Sequence, residues 1–579
     1  MELSHLVVDA ILRPSFVLKY HELQDHFSPS SGRVGPLSWD DSSLNPRNRV
    51  DTLDTSSSRW RIDGATICGS CVYAIPLDLL PDLPPLRILL YLSDQTEFPA
   101  ALRHTLDACV GVPLRDSKAI SRLGLAKHLC RALDHHCARN PAFLEQYLKL
   151  PLGSRIIFED VAADVSQMRL DVERDYGVES DMKTLQSLQQ SWDDVALGVW
   201  PPTVDITDLG LIRQLNDAVS LVEAPGQPFA VFKSATTSLH HTYHELRFLL
   251  TCPPHPHVMP RPLAVVTKKG AFGGKHGVVG FLLVHFPGGT LRDTLPARQR
   301  DGTLSEAVKL RWCRQVASAL AHLQEMGRFY SDLRPDNVLL DSEDNAVLCD
   351  FEQRGNWYEW CAPEVLYRQY AENIRNRLPD RVVNSPYNHL LEGYARPHSL
   401  FTSACYTSTE TSIEARNRAW FALPPTAREK AIVYNLGLFI YTVFEGLSNV
   451  QRNVANQFPI EPEIEFPIFK RTPTCIRKLI HHCTADVPDW QAVGLLSEPW
   501  RVVRVNGLLY PAAQTDLQPN TRTTFETVMD SLLRFWNTEL VRAEKFLEVP
   551  EWETGEFGRS RPSLREVVDA LGSSLEALN

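Results

Sequence analysis

The sequence predicts an α+β protein in which a β-rich segment precedes a larger helical one, with an additional α/β module ahead of both. Three observations carry this expectation. First, Asp332, Asn337 and Asp350 bracket two short apolar runs, Val338-Leu339-Leu340 and Ala346-Val347-Leu348-Cys349, joined by the polar turn Asp341-Ser342-Glu343-Asp344-Asn345. Such a pattern reads as a hairpin whose open end brings Asn337 and Asp350 together. Second, Phe229-Ala230-Val231-Phe232-Lys233 and Leu282-Leu283-Val284-His285-Phe286 read as strands well upstream of that hairpin. Third, Ala431 to Phe444 is apolar on all sides, as a central core helix should be. That run is too short and too interrupted to span a membrane.

The residues around the hairpin resemble protein kinases. Tyr330-Ser331-Asp332-Leu333-Arg334-Pro335-Asp336-Asn337 is similar to the catalytic loop, with Asp332 and Asn337 five apart. Asp350-Phe351-Glu352 and Ala362-Pro363-Glu364 resemble the metal-binding turn and the A-P-E element, in the family's order. The resemblance implies a bilobal protein-kinase-like fold with a small β-rich lobe and a large helical lobe. It assigns Asp332 to the hydroxyl that attacks, and Asn337 and Asp350 to Mg2+, a hard cation that takes oxygen ligands. It assigns Lys233 to the phosphates of ATP and Glu245 as the carboxylate that orients Lys233. Leu283 would line the back of an adenine pocket, with backbone groups of Val284, His285 and Phe286 at the adenine edge. Glu364 is expected to pair with Arg561 in a segment resembling the family's last helix.

The chain also departs from the family. The family's glycine-rich lid falls on Ile212 to Val219, where the glycine positions hold Ile212, Gln214 and Asp217. Glycine lets a backbone approach phosphate closely, and these residues do not. Gly270 to Gly277 has no phosphate-loop spacing and reads as a hairpin turn. Tyr330 and Ser331 stand in for the His and Arg before the catalytic aspartate. Arg334 stands where serine/threonine kinases carry lysine, and Glu352 replaces the glycine of D-F-G. Ile432 occupies the position of an aspartate that supports the catalytic loop. The segment from Gln353 to Cys361 is short, with Tyr358 as its single candidate phospho-acceptor.

At 579 residues the chain is long enough for a kinase-like fold plus an added module. The expected organisation is an N-terminal helix over 1–22 and a flexible, Ser/Pro/Gly-rich linker over 23–59. An α/β module and helical connector follow over 60–200. Within it, Ile88 to Leu92 reads as a strand, and Leu123 to Leu133 and Pro141 to Leu150 as helices. Asp164 to Trp192 reads as a charged helical connector. The small lobe is expected over 201–287 and the large lobe over 288–579, with insertions near 365–430 and 489–557. Thr303 with Glu306 reads as a capping box opening a long helix. Thr524 to Phe546 has a helical pattern.

A net charge of −11 gives no support for nucleic-acid binding. No apolar span or secretory leader is evident, which points to an intracellular, cytoplasmic protein with a nuclear location left open. The 12 scattered cysteines point the same way. Cys68 and Cys71 form the lone C-x-x-C, which favours ordinary buried thiols over zinc.

The resemblance, closest in kind to divergent kinase-like proteins of filamentous fungi, implies an ATP phosphotransferase acting on a serine or threonine hydroxyl. Two alternatives stay open: a pseudokinase acting as a regulatory scaffold, and a small-molecule kinase of the same fold. The substrate is not readable. A protein partner would use the N-terminal module or the insertions.

Overall fold

The computed structural model describes residues 57–65, 71–93, 98, 100–106, 122–235, 239–271, 273–355, 357–369, 417–451, 466–490, 502–505, 508–511, 525–549 and 556–578, with isolated positions before residue 51. The helix expected over 1–22, nearly all of the linker over 23–59, Cys68 and most of the insertion over 365–430 lie outside the described residues. So do parts of the insertion over 489–557. The described chain divides into two compact units, with the main crossing between His285 and Phe286.

The first unit contains two sheets. Strands β1 (Trp60–Ala65), β2 (Cys71–Pro76), β3 (Leu89–Leu92), β4 (Arg155–Phe158) and β5 (Leu170–Glu173) form a five-stranded sheet in chain order. Only the β3–β4 pair is parallel. Helix α1 (Gly124–Arg139) packs against β1 with Leu129 and Leu133 fully buried. The stretch over 164–192, expected to be helical, is a mixture. Leu170 and Val172 alternate with Asp171 and Glu173, a period of two that makes β5 a strand on β4. Two short helices follow, α2 (Gly177–Asp181) and α3 (Leu185–Ser191).

The second sheet has six strands in the order β6-β10-β11-β9-β8-β7. These are β6 (Thr203–Asp205), β7 (Gly210–Gln214), β8 (Val219–Ala224), β9 (Gln227–Ser234), β10 (Ala264–Lys269) and β11 (His276–Val284). Helix α4 (Leu239–Thr251) packs on β9 and β11. Ala230, Phe232, Val265, Val279 and Phe281 are fully buried beneath it and within the sheet. Each fully buried large apolar side chain contributes roughly 1.5–3 kcal/mol. The Gly270 N–H donates to the Lys275 carbonyl and closes the β10–β11 turn, as the glycine-rich composition predicts.

The second unit is helical. Helix α5 (Leu291–Arg300) precedes the long α6 (Glu306–Glu325), and β12 (Val338–Leu340) pairs antiparallel with β13 (Ala346–Leu348). The cap of α6 is Ser305, whose hydroxyl accepts from the Val308 N–H, rather than Thr303. Thr303 lies two residues too early and bonds the Arg298 carbonyl instead. The apolar core helix is longer than expected: α7 runs Pro425–Glu445 and ends on Gly446 in the left-handed region. Helix α8 (Thr474–Cys483) crosses it closely at Gly437, where a Cβ would stand 2.7 Å from that of Cys483. Strands β14 (Val502–Val505) and β15 (Leu508–Pro511) make a hairpin before α9 (Phe525–Leu547). The last helix, α10 (Leu564–Glu576), carries a full capping box and packs along α6. No described helix is long and apolar enough to cross a membrane.

Candidate functional site

The sequence-predicted residues fall in both units, and each half is built separately.

In the first unit, β9 and α4 place Lys233 and Glu245. Lys233 Nζ lies 2.5 Å from Glu245 Oε2, with side chains 9% and 1% exposed. Strand β11 lies beside β9, with Phe281 opposite Lys233 and Leu283 opposite Val231. Gly280 is required there, because a Cβ would meet the Lys233 carbonyl at 2.1 Å. Leu283 is buried, while Val284 and His285 are partly open at the end of the strand. Burial lowers the His285 pKa, which favours the neutral ring. The lid position is occupied by the β7–β8 hairpin, with Ile212 at a bulge in the pairing.

In the second unit, the catalytic-loop residues converge. Asn337 Nδ2 donates to Asp332 Oδ2 at 2.9 Å and also to the Asp332 carbonyl at 2.9 Å. Arg334 Nε lies 3.2 Å from Asp332 Oδ1, and its Nη1 3.1 Å from Asp336 Oδ2. The guanidinium stacks 5.0 Å from the Trp357 ring centre. Burial raises the Asp332 pKa above the usual carboxylate range, and Arg334 and Asn337 oppose that shift. The Arg334 guanidinium is raised despite its burial, because Asp332 and Asp336 face it.

Asn337 leads into β12 and Asp350 follows β13, so the hairpin sets both at its open end. The Cys349 N–H donates to the Asn337 carbonyl at 3.0 Å, tying the two strand ends together. Asp350 has φ 63°, a left-handed conformation that Asp tolerates better than most residues. The far end of the hairpin is held by Arg298, which donates to both Asp344 carboxylate oxygens at 2.9 and 2.7 Å.

Two substitutions around this loop, Tyr330 and Ser331, are accommodated by neutral hydrogen bonds. Tyr330 donates to the Cys349 carbonyl at 2.5 Å and packs edge-on against Phe351. Ser331 is fully buried, and its hydroxyl and N–H donate to Gln353 Oε1 at 2.6 and 3.0 Å. Gln353 Nε2 in turn donates to the Phe329 carbonyl, and Asn417 Nδ2 to the Gln353 carbonyl, both at 2.6 Å. Gln353 and Asn417 were not singled out from sequence. Their role depends on a 64-residue separation that no local pattern reveals. Glu352 is paired with Arg354.

Tyr358, the candidate phospho-acceptor, is packed against Phe535 and Trp536 of α9 and donates to Glu539. Ile432 is buried apolar surface on α7. Glu364 and Arg561 form the expected pair, at 2.5 and 3.2 Å, both essentially unexposed.

A β-rich unit bearing a buried Lys–Glu pair, together with a helical unit bearing this Asp–Arg–Asn loop and its hairpin, defines the protein-kinase-like fold. Residues 230–374 match the family model for the protein kinase domain. The chain is 30% identical over 148 residues to the serine/threonine-protein kinase UCN of Arabidopsis thaliana, covering 25% of this chain and 35% of that kinase. It is 35% identical over 102 residues to the serine/threonine-protein kinase Sgk1 of Rattus norvegicus, covering 15% of this chain and 23% of that kinase. The chain thus spans about a third or less of the length of these relatives.

Proposed function

We propose that this protein is a magnesium-dependent ATP phosphotransferase acting on a serine or threonine hydroxyl. The observation that carries the proposal is the Asp332–Asn337–Arg334 cluster. A carboxylate is held by an amide and a cation while retaining part of its surface. Such a carboxylate is suited to orient a hydroxyl and receive its proton. Asn337 spends its amide nitrogen on Asp332, which leaves the amide oxygen as the donor for a cation. With Asp350 this forms an all-oxygen set of the kind Mg2+ takes. Bound Mg2+ would neutralise charge on the phosphates. Lys233, oriented by Glu245, is the residue suited to hold phosphate in the first unit, and Leu283, Val284 and His285 would receive the adenine. Arg334 adds a fixed positive charge beside Asp332, where the lysine of serine/threonine kinases would stand. The names of the relatives, both serine/threonine-protein kinases, support the choice of acceptor.

The test is Asp332→Asn, which keeps shape and removes the carboxylate. Phosphate transfer to a protein substrate pool should fall by at least a hundredfold, with MgATP binding close to wild type. Retained transfer would overturn the assignment.

A second reading, a pseudokinase scaffold, is favoured by one observation. The Gln214 N–H at the lid is already taken by the Asp63 carboxylate at 2.8 Å. That donor would not serve a phosphate. Full biological function in Asp332→Asn at normal protein level would favour this reading.

A further inference from the structure

The first unit carries a set of contacts that the phosphotransfer reading does not use. The five-stranded sheet and its connector reach the β7–β8 hairpin at several backbone groups. Asp63 accepts from the Gln214 N–H at 2.8 Å, and Arg61, bonded to Asp63, donates to the Ile212 carbonyl at 2.6 Å. Arg87 donates to the Asp217 carbonyl at 2.6 Å, and the Leu211 N–H to the Leu83 carbonyl at 2.7 Å. Ile212, Gln214 and Asp217 are the residues that stand where the family has glycine. Their backbone groups are therefore turned to use by the module.

The connector reaches the helix that carries Glu245 in the same way. The Tyr243 hydroxyl accepts from the Lys183 N–H at 2.9 Å and donates to the Val278 carbonyl at 2.7 Å. Trp192 lies edge-on to the Tyr243 ring, and Arg247 pairs with Asp194. Beneath them, Glu179 accepts from the Leu152 and Ala271 N–H groups and pairs with Lys268 at 2.6 Å. Tyr243 sits two residues before Glu245 on α4.

Asp63, Arg87 and Glu179 are 3–5% exposed. Buried charges are poor sources of net stability, because desolvation offsets much of the attraction. Their best-attested use is to select one geometry among several. Here they terminate on the lid hairpin and on the β10–β11 turn, while the neutral Tyr243 ties α4 itself.

We propose that residues 57–200 form an intramolecular clamp that holds the β7–β8 hairpin and α4 in the arrangement pairing Lys233 with Glu245. The clamp deepens, and for its catalytic meaning rests on, the phosphotransfer reading. Asp63 and Tyr243 are positioning residues in it: each acts through the element it ties. A lid without glycines gives up flexible closure over phosphate and gains a fixed position set by the module.

The full-length protein and its Tyr243→Phe, Asp63→Ala and Asp63→Asn variants test the clamp by amide hydrogen exchange and by MgATP titration. Tyr243→Phe keeps the ring and removes the hydroxyl. Exchange over 239–251 should rise about tenfold, with 288–348 unchanged. Asp63→Ala should do the same over 210–219, and Asp63→Asn, which keeps an acceptor for Gln214, should restore most of the protection. MgATP Kd should rise at least fivefold in Tyr243→Phe and Asp63→Ala. No change in exchange, or a uniform rise across 57–285, would overturn the clamp, and Tyr243→Phe decides alone if Asp63→Ala does not fold. If wild type binds no MgATP but the localised exchange changes occur, the clamp stands and the phosphotransfer reading falls.

Discussion

Asp332 is held on both sides of its carboxylate. Its carboxylate is 16% exposed and shares its two oxygens between Asn337 and Arg334. Burial raises its pKa, so the proton competes with the reactive form at a higher pH than for an ordinary aspartate. The acid limb of a kcat/KM profile should therefore lie above the usual carboxylate value of about 4. Arg334→Met removes the cation that favours the charged form. The limb should then move further up, and activity at mildly acid pH should fall more than at pH 8. A profile unmoved by Arg334→Met would show that Asp332 does not set the limb. Ser331 and Gln353 complete the picture at this scale. A buried, neutral Ser–Gln bond occupies the place where the family has a cation, so that position offers no charge to receive a phosphate.

At the scale of elements, the segment after Asp350 is held against α9. Tyr358 bonds Glu539, which also pairs with Arg542 at 2.6 Å, and Tyr367 packs on Phe546. Tyr358→Phe keeps the ring packing and leaves Glu539 its arginine. It should cost about 1–2 kcal/mol of stability, read from urea unfolding, and change any turnover less than threefold. A tenfold loss of turnover with unchanged stability would instead mark Tyr358 as a switch. The loop before β10 offers a second handle. His255 stacks on His322 and bonds Ser318, and its pKa is lowered to about 4 by burial and by the neighbouring His322 and His257. The unfolded ring takes a proton near pH 6.5 while the folded ring resists it. Stability should thus decline as pH falls from about 6.5 to about 4, and His255→Gln should flatten that decline in a pH series of thermal melts.

At the scale of the molecule, Glu364 and Arg561 tie the kinase-like segment to the chain's last helix across 197 residues. Arg561 also donates to the Ala485 and Lys430 carbonyls and stacks on Tyr434. Removing one member leaves a buried charge uncompensated, so Glu364→Gln or Arg561→Met should cost about 3–5 kcal/mol. The double replacement by Met should cost less than the sum of the two, since it leaves no orphan charge. Strict additivity in chemical denaturation would show that the pair is not coupled. The module over 57–200 belongs to the same scale. Its sheet is continuous in chain order, yet its contribution to the site is made through a few side chains that end on backbone groups of the second sheet.

Much of this was legible in the amino-acid order. The β12–β13 hairpin follows from its two apolar runs and the polar turn between them, while the Lys233–Glu245 and Glu364–Arg561 partners were legible through the resemblance to protein kinases. The five strands of the module were not legible beyond Leu89–Leu92. Their apolar runs are short, and pairing between distant strands rather than periodicity selects them. Thr303 was a plausible cap that lost to Ser305, since helix starts are decided by which hydroxyl reaches the free N–H groups after packing. Gln353, Asn417, Asp63 and Arg87 acquire their roles only in three dimensions. A lone buried polar residue has no local signature; its partner lies scores of residues away, and burial is what makes the bond obligatory. Sequence by itself carried the resemblance to protein kinases and named the residues on which the proposed chemistry rests. Tertiary structure alone decided how those residues are held: by neutral bonds beneath the catalytic loop, by α9 beside it, and by the module around Lys233 and Glu245.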